Sequence, residues 1–259
     1  QDAQQRPKCL ITQFKIEDGT PIESAHETRD LPAWWSKALV TDPTGKLAWT
    51  GQSILNLQTL EIESELQPGN LRFEGDSPER IASIATWTGP TQVVQIMSVF
   101  ETDDPDDDGW HDVLAAIELP SGRIRKIESA PSASSLSSSP DGRWIAEAGF
   151  DRRVRIRSAE TLEVEHEFLV HESRVRRVIW HPTLPALVTQ GDDRRIKIVH
   201  SETGNVLEEI WSGKQVFSHI KLSADGSRIL ITSAPNTVAW TPRSLIQFDP
   251  KKEEENGPQ

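Results

Sequence analysis

The sequence of 259 residues predicts an all-β fold made of repeated antiparallel sheets. Two observations support this prediction: one segment occurs twice at a fixed offset, and short apolar runs alternate with turn residues along the chain. Pro140, Gly149 and Asp151 of the first copy have proline, glycine and aspartate counterparts 42 positions later, with no gap in between. A period of about 40 to 45 residues with short apolar runs is typical of the four-stranded blade of a β-propeller. We therefore predict a β-propeller.

The second copy has the clearer strand pattern. It is predicted to form a first strand at residues 175–182, a second at 187–189, a tight turn at 191–195 and a third strand at 196–198. At these residues the chain resembles the WD-repeat β-propeller family.

The resemblance implies a structural hydrogen-bond network in the second copy. His171 stands at the family's loop histidine, Thr189 at the Ser or Thr of the second strand, and Asp193 at the aspartate of the tight turn. The family's fourth member is a tryptophan that ends the third strand. Val199 takes its place here, so we expect the network to stay open at that end.

The first copy keeps less of this signature. Asp151 stands at the turn aspartate, whereas Glu147 takes the Ser or Thr place and Arg157 takes the tryptophan place. We include Asp151 in the predicted structural network and expect the network to be incomplete in both copies.

The chain is predicted to open in the middle of a blade. Residues 1–8 are polar and are expected to be loose. A strand at 9–16, a turn at 18–20 and a strand at 21–25 match the second half of a blade. His26 follows and is interpreted as a surface residue.

Two blades precede the repeated pair. Pro43 lies 97 residues before Pro140, which keeps the turn of the first full blade in register with the first copy. The second full blade carries an insertion, because apolar strands at 93–100 and 113–119 flank an acidic hairpin. Residues 129–139 are rich in serine and are predicted to form a loop that leads into Leu136.

The predicted domain organisation is a loose N-terminus at 1–8, one propeller domain at 9–249 and a disordered charged tail at 250–259. Five blades and an opening half blade are visible, which is consistent with a six- or seven-bladed ring or with an excerpt of a longer chain. The predicted blades are residues 9–30, 33–67, 70–129, 133–170, 172–212 and 214–249.

Composition excludes several classes of protein. The formal net charge of −12 argues against a nucleic-acid-binding surface over the whole molecule. No apolar run reaches the roughly 18 residues of a transmembrane helix, so no membrane insertion is expected. Cys9 is the single cysteine and is interpreted as a small apolar residue of a strand. The sequence begins with Gln1 and contains no signal segment with a basic start and an apolar centre. We therefore expect a soluble protein that is either cytoplasmic or exported after removal of a leader.

Catalytic signatures are absent from the sequence. There is no nucleophile elbow, no phosphate-binding glycine loop and no cysteine pair at zinc spacing. His166 and His171 are one residue too far apart for the H-E-x-x-H zinc motif, and they fall in a predicted strand and loop instead of a helix. We therefore predict no catalytic residue, no enzyme activity and no certain cofactor.

Arginines cluster in the turns and loops of the two copies. In the propeller family these turns and loops share one face, so the resemblance implies a basic patch that could anchor an acidic partner protein. The alternative is a solvated face on which each arginine pairs with Asp151, Asp192, Asp193 or Glu172. The predicted partner-binding residues are Arg152, Arg153, Arg174, Arg177, Arg194 and Arg195.

An acidic segment at residues 104–112 predicts a calcium site. It fits the pattern D-x-D-x-D-G-x-x-D and resembles the calcium hairpins of integrin-type propellers. Ca²⁺ takes about six to eight oxygen ligands, and closely spaced carboxylates can supply them. The alternative is an acidic hairpin tip that its charge keeps soluble. The predicted ligands are Asp104, Asp106, Asp108, the carbonyl of Trp110, and Asp112.

These observations favour a non-enzymatic scaffold for protein–protein interaction. The first alternative is a calcium-binding adhesive propeller outside the cytoplasm. The second is a propeller hydrolase or lyase, against which no His, Asp or Glu set recurs at blade spacing.

Overall fold

The computed structural model describes residues 9–11, 26–28, 40–51, 53–59, 61–67, 84–100, 110–211, 217–233 and 236–243. Regular structure in these ranges consists of antiparallel β-strands with essentially no helix, which confirms the predicted all-β class. None of the helices in these ranges has the length and apolar character to cross a membrane. The predicted loose N-terminus and the predicted charged tail lie outside the described residues. The domain boundaries and the number of blades stay predictions.

The chain divides into two compact units, residues 1–125 and 126–259. The first unit holds a two-stranded pair and two four-stranded sheets, and the last strand of the second sheet continues beyond residue 125. In each sheet, strands that follow one another in sequence are neighbours. The strands are β1 (Cys9–Ile11), β2 (His26–Thr28), β3 (Val40–Thr41), β4 (Leu47–Trp49), β5 (Ser53–Asn56), β6 (Ile62–Glu65), β7 (Ala85–Trp87), β8 (Gln92–Phe100), β9 (Trp110–Glu118) and β10 (Arg123–Ser129).

The first strand pair reaches further along the chain than predicted. β1 pairs with β2 so that Cys9 lies opposite Thr28 and Ile11 opposite His26. His26, predicted to follow the second strand, is therefore part of it, and the predicted strand at 21–25 lies outside the described residues. Residues that lie opposite each other in an antiparallel pair have numbers with a constant sum. A strand that starts at Cys9 and is followed by the predicted turn at 18–20 therefore needs a partner strand near Thr28.

Tryptophans join the two four-stranded sheets of the first unit. Trp49 is fully buried, and its indole nitrogen donates a hydrogen bond of 2.5 Å to the side-chain oxygen of buried Gln95. Trp87 donates a bond of 2.9 Å to the main-chain carbonyl of Val40. Each ring therefore packs its apolar body in the core while its polar edge is satisfied.

The second unit contains two four-stranded sheets and a three-stranded sheet. Ala146 lies opposite Ile156 in the first sheet, and Val188 lies opposite Ile198 in the second. The offset of 42 residues is thus kept in the strand pairing. The strands are β11 (Ala133–Ser138), β12 (Trp144–Gly149), β13 (Arg153–Ser158), β14 (Val164–Leu169), β15 (Val175–Trp180), β16 (Ala186–Gly191), β17 (Arg195–His200), β18 (Val206–Trp211), β19 (His219–Leu222), β20 (Ile229–Ser233) and β21 (Asn236–Trp240).

The repeat also extends to unusual backbone angles. Arg152 and Arg194 have φ values of 74° and 64°, and they lie 42 residues apart. Leu162 and Gly204, again 42 residues apart, have φ values of 61° and 74°. A non-glycine residue seldom adopts this left-handed conformation, because its Cβ approaches the backbone. The tight turns of the two sheets therefore have one geometry, whichever residue occupies them.

The serine-rich segment is a strand, which corrects the predicted loop at 129–139. Residues Ala133–Ser138 form β11, and its serines bond to the neighbouring strand β15. The hydroxyl of Ser134 donates to the carbonyl of Val175 at 2.6 Å, and the hydroxyl of Ser137 accepts the N–H of Trp180 at 2.9 Å. Serine suits this position because its short side chain bonds to the backbone of an adjacent sheet, a contact that local composition does not reveal.

One turn recurs with the same hydrogen bonds. The hydroxyl of Ser139 donates to Asp141 at 2.6 Å and accepts the N–H of Trp144 at 3.0 Å. Ser223 and Asp225 bond in the same way before β20, at 2.5 Å. The hydrogen bond from Ser139 is the main cause that lowers the pKa of Asp141 to about 2.

His181 replaces the serine in the corresponding turn before β16. Its Nδ1 accepts the main-chain N–H of Leu184 at 3.0 Å, so the proton lies on Nε2, which donates to the carbonyl of Gly226 at 3.2 Å. Burial lowers the pKa of His181, and the ring is neutral. A Cβ at Gly226 would overlap this ring, so a glycine is needed for the close approach.

Candidate interaction surface

A buried network of neutral and acidic groups occupies the second copy. The Nδ1 of His171 lies 2.9 Å from Oδ2 of Asp193, and its Nε2 lies 2.9 Å from the hydroxyl of Thr189. A carboxylate only accepts hydrogen bonds, so Nδ1 carries the proton and Nε2 accepts from Thr189. Burial lowers the pKa of His171, an effect that nearby Asp193 opposes. The ring is therefore neutral and bonded on both sides.

The structure thus brings together the three residues named from the family resemblance. Val199, at the family's tryptophan place, is fully buried among apolar side chains. Gly191 leaves the space for the network, because a Cβ there would lie 2.5 Å from both His171 Nδ1 and Asp193 Oδ1. The turn glycine and the turn aspartate are therefore required together.

The first copy contains an ion-pair network at the same positions. Arg157 Nε donates to Glu147 at 2.5 Å, and Arg155 pairs with both Glu147 and Asp151. The side chain of Glu147 is 1% exposed and that of Arg157 7%. The remaining guanidinium nitrogens of Arg157 donate to main-chain carbonyls, one of them that of Leu162 at 2.9 Å. The buried charges are therefore paired and hydrogen-bonded, as burial requires.

Asp151 belongs to this ion-pair network and has no histidine partner in it. Burial acts to raise the pKa of Asp151, but the hydrogen bond and the charge of Arg155 outweigh it, and the pKa is lowered. The first copy was expected to have an incomplete family network. In its place the structure has ion pairs that join Glu147 and Asp151 to Arg155 and Arg157.

The six predicted partner-binding arginines fall into two groups. Arg153 pairs with Glu167 on β14 at 2.5 Å, and Arg195 pairs with Glu209 on β18. These glutamates lie on the outer strands and are not the turn acids that we considered from the sequence. Both arginines are therefore partly neutralised.

The second group is more exposed. Arg152, Arg174 and Arg194 are exposed, and Arg177 is half-buried. Within the part of the chain that the structure describes, Arg152, Arg174 and Arg177 make no ion pair. These three guanidinium groups therefore have no carboxylate partner among the described residues.

Phe150 lies beside these arginines in the turn after β12. It is 44% exposed, and the guanidinium groups of Arg174 and Arg176 lie 5.6 and 5.8 Å from the centre of its ring. Arg176 also pairs with Asp192 at 2.6 Å. An exposed aromatic ring flanked by guanidinium groups is typical of the residues that anchor protein partners.

The two histidines of the near-zinc motif bind different partners. His166 lies on β14 and stacks on Phe168 with ring centres 6.0 Å apart, whereas His171 belongs to the network with Asp193. In the described ranges, no group of three or more His, Cys, Asp or Glu side chains is placed to hold a metal ion.

The calcium hypothesis stays a prediction. Asp104, Asp106 and Asp108 lie outside the described residues. Trp110 and Asp112 lie on β9, where their main chains are opposite Phe100 and Ser98 of β8. Calorimetric titration of chelator-treated protein with Ca²⁺ tests the site, and the absence of heat at millimolar Ca²⁺ would leave an acidic hairpin.

Several residues of the candidate site were missed from the sequence. Glu147 and Arg157 were noted only as departures from the family, although their opposite charges in neighbouring strands were a usable signal of a pair. Phe150 was also missed, and its signal was an apolar residue in a turn where the second copy has Asp192.

Comparisons with known proteins found a matching family and several similar proteins. The family "WD domain, G-beta repeat" matches residues 124–158 and 162–200. "Protein HIR1" of Kluyveromyces lactis is 31% identical over 132 residues, which cover 42% of this chain and 15% of that protein. "Protein HIR1" of Cryptococcus neoformans is 28% identical over 153 residues, which cover 56% of this chain and 17% of that protein. "Protein HIR1" of Eremothecium gossypii is 27% identical over 108 residues, 38% of this chain and 13% of that protein.

The matched part of the chain spans less than a fifth of the length of these relatives. The family match spans β11 to β17, that is, all but the last strand of the two sheets in which the offset of 42 residues is kept in strands and turns. The family match and the strand pairing together identify residues 124–158 and 162–200 as WD repeats, in antiparallel four-stranded sheets of the kind that form the blades of a β-propeller.

Proposed function

We propose that this protein is a non-enzymatic scaffold that binds acidic segments of partner proteins. Its binding region is the arginine surface, which consists of Arg152, Arg153, Arg174, Arg177, Arg194 and Arg195. The proposal rests on Arg152, Arg174 and Arg177. These three arginines make no ion pair with the described residues, and they lie next to the exposed ring of Phe150.

Charge and geometry support an acidic partner. The whole chain has a formal charge of −12, so a local group of cations is a departure from its surroundings. Arginine binds carboxylates through two parallel N–H groups and is favoured at interfaces. An exposed aromatic residue adds apolar area at low conformational cost.

Charge reversal tests the proposal with a matched control. The double variant Arg152→Glu with Arg174→Glu changes two exposed arginines of the arginine surface. The control variant Arg143→Glu with Arg228→Glu makes the same change of net charge in turns at the opposite ends of the strands. Binding of fluorescein-labelled, glutamate-rich peptides is measured by anisotropy at low salt, after circular dichroism has shown that all proteins are folded.

We expect the first variant to weaken peptide binding by about tenfold or more and the control to change it little. The affinity of the unchanged protein should fall as salt is added, because exposed charges are screened. Equal affinities for both variants would overturn the assignment of the arginine surface.

A further inference from the structure

A cavity of about 290 Å³ lies within the second unit, where β12 begins and β15 ends. This end of the strands is opposite the turns that carry the arginine surface, so the cavity is a separate site. Its volume is just below the usual range of ligand sites, roughly 300–1,000 Å³, and suits one side chain of a partner. We call the cavity the tryptophan slot, and its lining residues are Trp144, Ile156, His166, Trp180, Ser201 and Glu202.

Two tryptophans supply the aromatic surface of the slot. Trp144 and Trp180 are half-buried, and both pack against the apolar core of the two sheets. The bond from the main-chain N–H of Trp180 to Ser137 fixes the end of β15 against β11. The indoles of Trp49 and Trp87 each donate to a partner, whereas neither indole N–H of the slot bonds to a described residue. Both rings of the slot therefore keep surface that a ligand can contact.

The repeat itself does not require these aromatic rings. The counterpart of Trp144, 42 residues later, is Ala186, which is fully buried. The counterpart of Trp180 is Leu222, which ends β19 just as Trp180 ends β15. Smaller apolar residues thus occupy both places in the next two sheets, and packing of the repeat alone does not explain a pair of tryptophans.

Glu202 brings a negative charge to the slot. It is exposed, and its carboxylate makes no ion pair or hydrogen bond with a described residue. Its main-chain N–H donates to Nδ1 of His200 at 3.2 Å, which holds the turn after β17 in place. The faces of indole rings attract cations, and a neighbouring carboxylate adds to this attraction. Tryptophans beside an unpaired carboxylate therefore favour a cationic group.

We propose that the tryptophan slot binds a lysine or arginine side chain of a partner protein. The methylene groups of this side chain contact the rings of Trp144 and Trp180, and its charged end lies near the carboxylate of Glu202. The formal charge of −12 adds a general attraction for a basic segment. The same charge and Glu202 disfavour a nucleotide, because they repel its phosphate. The inference goes beyond the proposed function and does not depend on it.

The test follows the indole N–H signals of the nine tryptophans in ¹⁵N-labelled protein by NMR. The variants Trp144→Phe and Trp180→Phe assign the two signals that belong to the slot. The ligands are blocked tripeptides, Gly-X-Gly, in which X is lysine, arginine or norleucine, the uncharged counterpart of lysine. They are titrated to millimolar concentration at about 0.15 M salt, so that general attraction between charges is screened.

Two glutamate variants test the carboxylate. Glu202→Gln removes the charge from the slot and keeps the size of the side chain. Glu160→Gln is the matched control, because Glu160 is exposed, stands 42 residues earlier in the equivalent turn and does not line the slot. Both variants change the net charge of the chain by the same amount.

The lysine and arginine tripeptides should shift the signals of Trp144 and Trp180 and bind about fivefold or more tightly than the norleucine tripeptide. Glu202→Gln should weaken binding of the lysine tripeptide by about two- to fivefold, and Glu160→Gln should leave it unchanged. The comparison of lysine with norleucine uses the unchanged protein, so it stays decisive if a variant is poorly folded.

Several outcomes would overturn the inference. Equal binding of the norleucine and lysine tripeptides would mean that the slot does not recognise a charge. Shifts confined to other tryptophans, or no shift at millimolar ligand, would mean that the slot is not the site. Equal effects of Glu202→Gln and Glu160→Gln would exclude the carboxylate from binding. Tighter binding of uridine 5′-monophosphate than of the lysine tripeptide would exclude a basic side chain as the occupant.

Discussion

Two neighbouring blades of this protein use the same positions for two different kinds of chemistry. The sheet β11–β14 holds a buried ion-pair network, and the sheet β15–β18 holds a neutral histidine bonded to a threonine and an aspartate. The corresponding positions are Ser129 and His171, Glu147 and Thr189, Asp151 and Asp193, and Arg157 and Val199.

The comparison teaches that a repeat keeps positions and backbone geometry more strictly than it keeps side chains. Arg153 with Glu167 and Arg195 with Glu209 form the same exposed pair in both blades. In the interior, each network must satisfy all its own groups, because an unpaired buried charge costs far more than an absent neutral bond. A change of one residue in a network therefore requires changes in its partners.

The largest effect is expected for Glu147→Leu in the ion-pair blade. It leaves Arg157, whose side chain is 7% exposed, without its carboxylate, so the free energy of unfolding should fall by about 3–5 kcal/mol. Urea unfolding measures the change. The double variant Glu147→Leu with Arg157→Leu removes both charges and should recover most of the loss, since well-packed apolar residues can replace a buried pair. A single variant as stable as the unchanged protein would contradict the difference between the blades.

The neutral blade should respond less strongly. Asp193→Ala removes the acceptor of His171 Nδ1 and should lower the free energy of unfolding by about 1–3 kcal/mol. Thr189→Val keeps the shape and removes one hydrogen bond, so about 1 kcal/mol is expected. Both values come from urea unfolding at neutral pH, and no loss in either variant would show that the network does not stabilise the fold.

The blades should also differ in their response to pH. Burial lowers the pKa of His171 below the value of about 6.5 that an unfolded chain has, so the unfolded state binds the proton more readily. The neutral ring therefore contributes fully to the free energy of unfolding above about pH 6.5, and this contribution is lost as the pH falls below that value. The measurement is the free energy of unfolding of the unchanged protein and of His171→Gln between pH 5 and pH 8. It should change less steeply with pH in the variant. Parallel slopes would show that the ring does not titrate in this way.

The smallest effects are expected where the blades agree. Arg153→Ala and Arg195→Ala each break an exposed pair, and about 0–1 kcal/mol should be lost in either blade. Thermal unfolding of the two variants checks this expectation. A large loss in one blade only would mean that the exposed pairs are not equivalent.

Much of the fold follows from the sequence because its signals are local. Strands appear as short apolar runs, and the turns are marked by Gly149 and Gly191, so the offset of 42 residues was visible without a structure. The contact of His171 with Asp193 could be expected for the same reason, since both belong to one repeat whose spacing the family shares.

The tertiary structure decided the contacts that join one sheet to the next. The composition of β11, which is rich in serine, favours a loop, and only its hydrogen bonds to β15 show that it is a strand. The amide of Gln190 is oriented by the carbonyl of Phe217, which lies 27 residues further along the chain. Phe150 meets Arg174 and Arg176 only because neighbouring sheets bring their loops together. Composition and period report the pattern within a repeat, whereas hydrogen bonds and ring contacts between repeats depend on distances that only the packed sheets define.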